Sequence, residues 1–350
     1  MEEAITGCIL GTAIGDALGL PYEGISPQRQ KRLVRELNGY HFLFGRGMVS
    51  DDTEHTCMTV QALIVSGGDP ELFVKSLARQ MRYWLLGVPA GIGLATLRAT
   101  IRLWCGVSPC KSGVFSAGNG AAMRSAIIGG YYGNDLPRLK ELVRASTRLT
   151  HTDPKAEYGA LAIAIAAHHA STLIEIDVAG YIEQVKTVCG SGAEEFVALI
   201  ERAAESATAE ETTESFAVSL GLLHGVSGYI YHTVPVVLHT WFRYPRDFMD
   251  AMRAVISAGG DTDTTAAILG GIVGAGVGVK GLPQPLIEGL SEFPKSVAWM
   301  RKVGGRLAES LSQSSPQKAV SYFVPAILLR NLIFLFVVLA HGFRRLLPPY

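Results

Sequence analysis

Net charge is missing from this sequence: Lys plus Arg and Asp plus Glu each number 31, which leaves no formal charge at neutral pH. The basic field that gathers nucleic acid is therefore absent, and binding of nucleic acid through bulk charge is excluded. Charged residues of both signs reach only 18% and aromatics 8%, against 48% hydrophobic. That balance suits helices buried over much of their surface and argues against disorder. Cysteine is scarce, odd in number and scattered, at Cys8, Cys57, Cys105, Cys110 and Cys189. No disulfide framework follows, and Cys105 and Cys110 lack the spacing and partners of a zinc site. The Met1-Glu-Glu-Ala4 start has no signal-peptide pattern. The expectation is a cytoplasmic protein with reduced thiols.

Strand patterns are also nearly absent. Tyr229 to Val237 is the best β candidate, and Pro235 weakens it. Helical patterns fill the rest, as at Pro70 to Arg82, Lys155 to Ala170 and Ala193 to Ala207. The sequence therefore predicts an all-α fold. Within the apolar stretch from residue 4 to residue 20, Gly7, Gly11, Gly15 and Gly19 recur every fourth position. On a helix they share one face, a smooth ridge for another helix to lie against. Asp16 sits inside this ridge, and a buried carboxylate there needs backbone amides or a polar site for a partner. Glu23 follows on a Pro/Gly turn, and the basic stretch from Gln28 to Arg35 reads as exposed.

What the chain does contain is two acidic knots. Gly259-Gly-Asp-Thr-Asp-Thr264 precedes an apolar helical run, and Gly47-Met-Val-Ser-Asp-Asp-Thr-Glu54 precedes another. Each has the form of a helix N-cap, where Asp, Ser and Thr satisfy free amides and the helix dipole favours negative charge. Each is also a dense set of hard oxygen donors of the kind magnesium, manganese or calcium accepts. Four carboxylates brought into one volume would repel, so a meeting of the two knots demands cations, most simply a bridged pair. Between the knots, Gly91 to Thr96 and Ser116 to Arg124 are Gly-rich turns whose free amides could cradle a phosphate, or could simply connect helices. Thr150-His151-Thr152-Asp153-Pro154 is a third turn, capped before a helix start. His168 and His169 diverge by about 100° on a helix and read as structural.

These blocks carry a resemblance. Gly11-Thr-Ala-Ile-Gly-Asp-Ala-Leu-Gly19, Glu23, Ser50-Asp-Asp-Thr53, Gly118-Asn-Gly-Ala-Ala-Met-Arg124, Thr150-His151 and Gly259 to Thr264, in this order, resemble the ADP-ribosylglycohydrolase family. The resemblance implies an orthogonal all-α bundle with a binuclear magnesium or manganese cleft, cleaving the glycosidic bond between ADP-ribose and an acceptor. It implies Ser50, Asp51, Asp52, Asp261, Asp263 and Thr264 as metal ligands, with a serine at position 50 where threonine is common. Glu23 matches the family's mobile glutamate. Ser116, Gly118 and Asn119 match the loop at the diphosphate and distal ribose, His151 a residue near the phosphates, and Gly91 and Gly93 a turn bordering the nucleotide. Asp52 and Glu23 are the candidates for activating water or protonating the leaving group. Two other classes stay open: a catalytically silent ADP-ribose-binding or structural relative, and a binuclear nucleotide phosphohydrolase. A monomer acting on an ADP-ribosylated substrate is the expected form.

The resemblance covers roughly residues 1 to 310, which divides the chain into a domain over 1–313 and an apolar extension over 314–350. From Ala319 to Ala340 the extension is nearly all apolar, broken by Pro325 and by Arg330-Asn331, and it closes with Arg344-Arg-Leu-Leu-Pro-Pro-Tyr350. Its length approaches the ~20 residues of a membrane span, but a mid-span arginine costs about 2.5 to 3.5 kcal/mol on insertion scales. The uninterrupted part, Leu332 to Ala340, is too short to span. A helix within 319–343 docked on the body or on a partner is favoured over peripheral membrane association.

Overall fold

A computed structural model describes residues 1–33, 37–313 and 315–345. Val34, Arg35, Glu36, Ser314 and the final five residues lie outside the described set, and with them part of the basic stretch and of the tail. The described residues form seventeen α-helices with short 3-10 turns, and only isolated β-bridges. The chain is all-α. The strand candidate at Tyr229 to Val237 is instead the helix Ile230–Arg243, with Pro235 inside it. Burial overrides the local β preference there: Val234, Val236 and Val237 are fully enclosed, in a core helix that is buried on nearly every side.

The organising contact is between the N-terminal helix Glu2–Gly19 and the antiparallel helix Thr262–Gly281. A Cβ placed on Gly7, Gly11, Gly15 or Gly19 would collide with the carbonyl of Gly274, Gly270, Ala266 or Thr262, respectively. The four-residue stripe is therefore the surface along which two backbones touch, and Gly270 and Gly274 reciprocate from the other side. Both helices are long and apolar enough to cross a membrane, yet both are enclosed by the other helices of the bundle. Their antiparallel register brings Asp16, near one end of the first helix, to the Asp261–Thr264 start of the second.

Helix Asp51–Ser66 packs beside this pair and begins at the same end. Asp16 fixes that start. Fully buried, it accepts bonds from Ser50 N at 2.9 Å, Thr53 N at 3.2 Å and Thr53 Oγ1 at 2.6 Å. The carboxylate expected to need amides has found them on the other knot.

The extension follows the body before it turns into a helix. Gln61 and Val320 exchange a pair of bonds at 2.7 and 2.9 Å. Helix Pro325–Arg344 is then continuous through Arg330 and Asn331, the pair that interrupts its apolar run. Both polar residues face inward. Arg330 pairs with Glu292 at 2.7 and 3.0 Å and donates to the Val49 carbonyl, while Asn331 donates to Gly87 O at 2.7 Å.

Candidate active site

Both acidic knots are helix starts, and both are held from outside their own helices. Ser50 is the N-cap of Asp51–Ser66, its hydroxyl accepting from Asp52 N at 3.3 Å. Asp261 precedes Thr262–Gly281 and is pinned by its amide to Val226 O at 2.8 Å. Gly260 has φ +80°, and a Cβ there would run into Val226, so this approach requires glycine. Gly24 N donates to Gly260 O at 2.8 Å and Gly260 N to Ile25 O at 3.0 Å. This exchange stitches the Glu23 turn to the second knot.

The knots meet. Thr264 Oγ1 donates to Asp52 Oδ2 at 3.1 Å, and Ser50 Oγ donates to the same oxygen at 3.1 Å. Asn119 Nδ2 donates to Asp261 Oδ2 at 2.6 Å and to Thr233 Oγ1 at 3.0 Å, tying the Ser116–Arg124 loop to the cluster. Burial first, and the neighbouring Asp16, Asp51 and Asp261 carboxylates second, push Asp52 well above the usual carboxylate range. Asp263 is raised by burial and then by Glu23, Asp261 and Asp52. Asp51 follows the same pattern. Glu23 is raised by desolvation and by Asp261, with Arg345 pulling the other way. These effects link six carboxylates, Asp16, Glu23, Asp51, Asp52, Asp261 and Asp263, into one electrostatic cluster.

A cleft of about 550 Å³ opens over this cluster. Glu23, Asp51, Asp261, Asp263 and Thr264 line its floor, with Ser116, Gly118, Asn119 and His151 on one wall and Gly91 and Gly93 at the rim. Ser50 and Asp52 are buried behind the floor and do not line the cleft. A Cβ on Gly91 or Gly93 would meet only open space, so these glycines border the cleft without being packed. Gly93 caps helix Leu94–Trp104, and Leu94, Ala95 and Thr96, whose amides lack intrahelical partners, line the cleft with it. His151 packs against the Gly118–Gly120 backbone and is bonded through Nδ1 to Thr150 Oγ1 at 2.8 Å. Burial and then Arg124 hold its ring neutral, at about 3.

Sequence reasoning left Arg124 without a role. Its guanidinium is fully buried and bonds Ser146 Oγ and O, Thr150 Oγ1 and the Gly120 carbonyl, bracing the loop that carries Asn119 and the turn that carries His151. Its position at the end of the Gly118 to Arg124 block was the available signal. Glu292 had none, since it meets Arg330 only in three dimensions.

Two atoms test whether these residues fit a cation. Asp52 Oδ1 and Asp263 Oδ1 are buried with no hydrogen-bond partner among the described residues. An orphaned buried carboxylate oxygen is costly, and a hard cation is the natural partner for an all-oxygen set of carboxylates and hydroxyls. No three His, Cys, Asp or Glu groups stand in a ready-made chelating arrangement among the described residues. The set still fits, because Ser50 and Thr264 supply donors of another type, and both hydroxyls are spent here on Asp52.

The chain matches the sequence profile of the ADP-ribosylglycohydrolases over residues 1–318. It belongs to the ADP-ribosylglycohydrolase family. An uncharacterised protein of Archaeoglobus fulgidus is 32% identical over 83% of this chain and 93% of its own length. The ADP-ribosyl-[dinitrogen reductase] glycohydrolase of Rhodospirillum rubrum is 27% identical over 81% and 88%, and the ADP-ribosylhydrolase ARH3 of Gallus gallus 26% over 83% and 89%. A solved structure titled an ADP-ribosylglycohydrolase-related protein complex shares the fold, with a TM-score of 0.60 at 24% identity, over 89% of this chain and 98% of that one. As a member of this family, the protein is a glycosyl-bond hydrolase acting on ADP-ribosyl linkages. The matched region ends at residue 318, just before helix Pro325–Arg344 begins.

Proposed function

We propose that this ADP-ribosylglycohydrolase releases ADP-ribose from its acceptor with two divalent cations, magnesium or manganese, held by Ser50, Asp51, Asp52, Asp261, Asp263 and Thr264. The observation that carries this reading is the pair of unpartnered buried oxygens, Asp52 Oδ1 and Asp263 Oδ1, in a cluster of mutually repelling carboxylates. Bound cations would fix and polarise the distal ribose and neutralise the cluster.

The chain's own residues do the rest. The free amides at the start of Leu94–Trp104, facing the cleft at the positive end of a helix, receive the diphosphate. His151 stays neutral, so it offers a hydrogen bond to the substrate rather than a second charge. Asn119 holds Asp261 by its amide and leaves the Ser116–Gly118 backbone exposed to the sugar. Glu23 faces the cleft from a turn, whereas Asp52 is enclosed behind the floor. Glu23 is therefore assigned the proton transfer beside C1″, taking the proton of the attacking water or giving one to the leaving group, and Asp52 a holding role.

The test is to incubate the protein, with and without magnesium, with ADP-ribose conjugated to arginine, serine, a nucleobase and an acetyl group. Free ADP-ribose appearing from one or more conjugates only with the metal supports the reading. Release of phosphate or AMP, or equal turnover in chelator, overturns it.

A further inference from the structure

Among the described residues, helix Pro325–Arg344 is the third helix long and apolar enough to cross a membrane, with a mean hydropathy of 2.0, and it differs from the other two in being mostly unburied. Its two faces are chemically distinct. Arg330, Asn331 and Phe334 point into the body, where Arg330 also stacks over the Phe334 ring at 4.5 Å. Leu328, Leu332, Phe336, Leu339 and Phe343 are all exposed, and their spacing of four, four, three and four residues puts them within about 80° of arc on the opposite face. Adding the exposed Leu329, Ile333 and Leu335 widens the bare apolar surface to about 160°. Phe44 stands fully exposed beside it, across a groove that Phe336 and Ile333 share.

We propose that this outward face docks on a lipid bilayer surface carrying anionic headgroups. Three observations choose lipid over other occupants. A two-helix seam is narrow and flanked by charged residues, whereas no Asp, Glu, Lys or Arg occurs between Asn331 and Phe343, and the bare face is far wider than a seam. A span would tear Arg330 from Glu292 and Val49, leaving an uncompensated guanidinium at mid-helix. Exposed arginines surround the C-terminal end of the patch. Arg344 lies on the helix itself, and Arg29 donates to Arg345 O at 3.0 Å, which brings the basic helix Pro27–Leu33 with Arg32 alongside. Arg46 follows the Phe44 turn. Apolar side chains entering the acyl boundary beside cations at headgroup level is the arrangement of a monotopic membrane protein.

The test floats the full chain with vesicles of phosphatidylcholine alone and of phosphatidylcholine with phosphatidylglycerol. The protein is expected to float with the anionic vesicles, less with neutral ones and less at high salt. The variant Leu332→Ser/Phe336→Ser/Leu339→Ser should lose about tenfold or more of that binding while keeping its melting temperature and its release of ADP-ribose. A second measurement does not depend on the triple variant. Phe336→Trp should be quenched by lipids brominated in the acyl chain, whereas the native tryptophans, Trp84, Trp104, Trp241 and Trp299, set the background. Absence of flotation, flotation undiminished in the triple variant, an unquenched Trp at 336, a concentration-dependent dimer in place of lipid binding, or resistance to alkaline extraction from membranes would each overturn the proposal.

Discussion

Thr264 Oγ1 donates to Asp52 Oδ2 at 3.1 Å, which joins the starts of two helices that lie 212 residues apart in the chain. Each start is a sound helix cap taken separately. Together they place repelling carboxylates in one buried volume, and among the described residues the hydroxyls between them are the only side-chain donors to Asp52. A cation would take over that role and free the hydroxyls to coordinate.

Asp263→Asn removes one charge from the cluster and replaces one carboxylate oxygen with an amide nitrogen that cannot ligate a cation. Turnover is expected to fall by roughly 100-fold or more, beyond the 10- to 100-fold typical of losing a group that only supports a metal ligand. The apo protein should not be destabilised, because a buried repulsion is relieved. Thermal melts with and without magnesium check this: the wild type should be raised by the metal and the variant much less.

Gly15→Ala introduces a methyl group against the Ala266 carbonyl, where backbone on both sides prevents relief. A loss of about 1 to 3 kcal/mol or more is expected from overpacking. Gly130→Ala is the matched control, since it lies in helix Ala126–Tyr132 with nothing near the added carbon. It should be neutral or stabilising by up to about 1 kcal/mol. Urea unfolding of the two variants measures the difference.

Arg330→Met leaves Glu292 buried without its cation. The expected cost is about 3 to 5 kcal/mol, and the double variant Arg330→Met/Glu292→Gln should recover much of it. Glu292 Oε1 also accepts from Val49 N at 2.8 Å, so the single variant should loosen the segment entering Ser50 and weaken magnesium binding as well. Denaturant unfolding and a magnesium titration separate the two effects.

His239 is enclosed, stacked on Phe216 with ring centroids 4.7 Å apart, and bonded only weakly to Ser206 and Thr213. Burial first, and then Arg243, hold its ring at about 4 against an ordinary 6.5. The unfolded chain therefore takes up this proton below pH 6.5 while the folded one does not until about pH 4. Stability is complete above pH 6.5 and falls as pH drops through that window, by about 2 kcal/mol at pH 5. His239→Gln should flatten the stability profile between pH 6.5 and 4 relative to the wild type, as read by melting temperature against pH.

The sequence by itself determined the all-α class, the glycine ridge and the two acidic helix starts. Those are local properties: four-residue spacing defines a helix face, and Asp, Ser and Thr before an apolar run define a cap. It also required a partner for Asp16, because a carboxylate inside an apolar ridge cannot stand alone. Tyr229 to Val237 stood only as a weakened strand candidate, and Arg330-Asn331 only as a polar interruption of an apolar run, because a strand preference and a polar pair both depend on what surrounds them. Only the tertiary structure decided that Asp16 binds the amides of the opposite knot, that Asp52 lies behind the cleft floor and Glu23 before it, and that Arg330 finds Glu292. Each of these is a contact between distant segments, and it is the close approach of two glycine-lined backbones that brings the segments together.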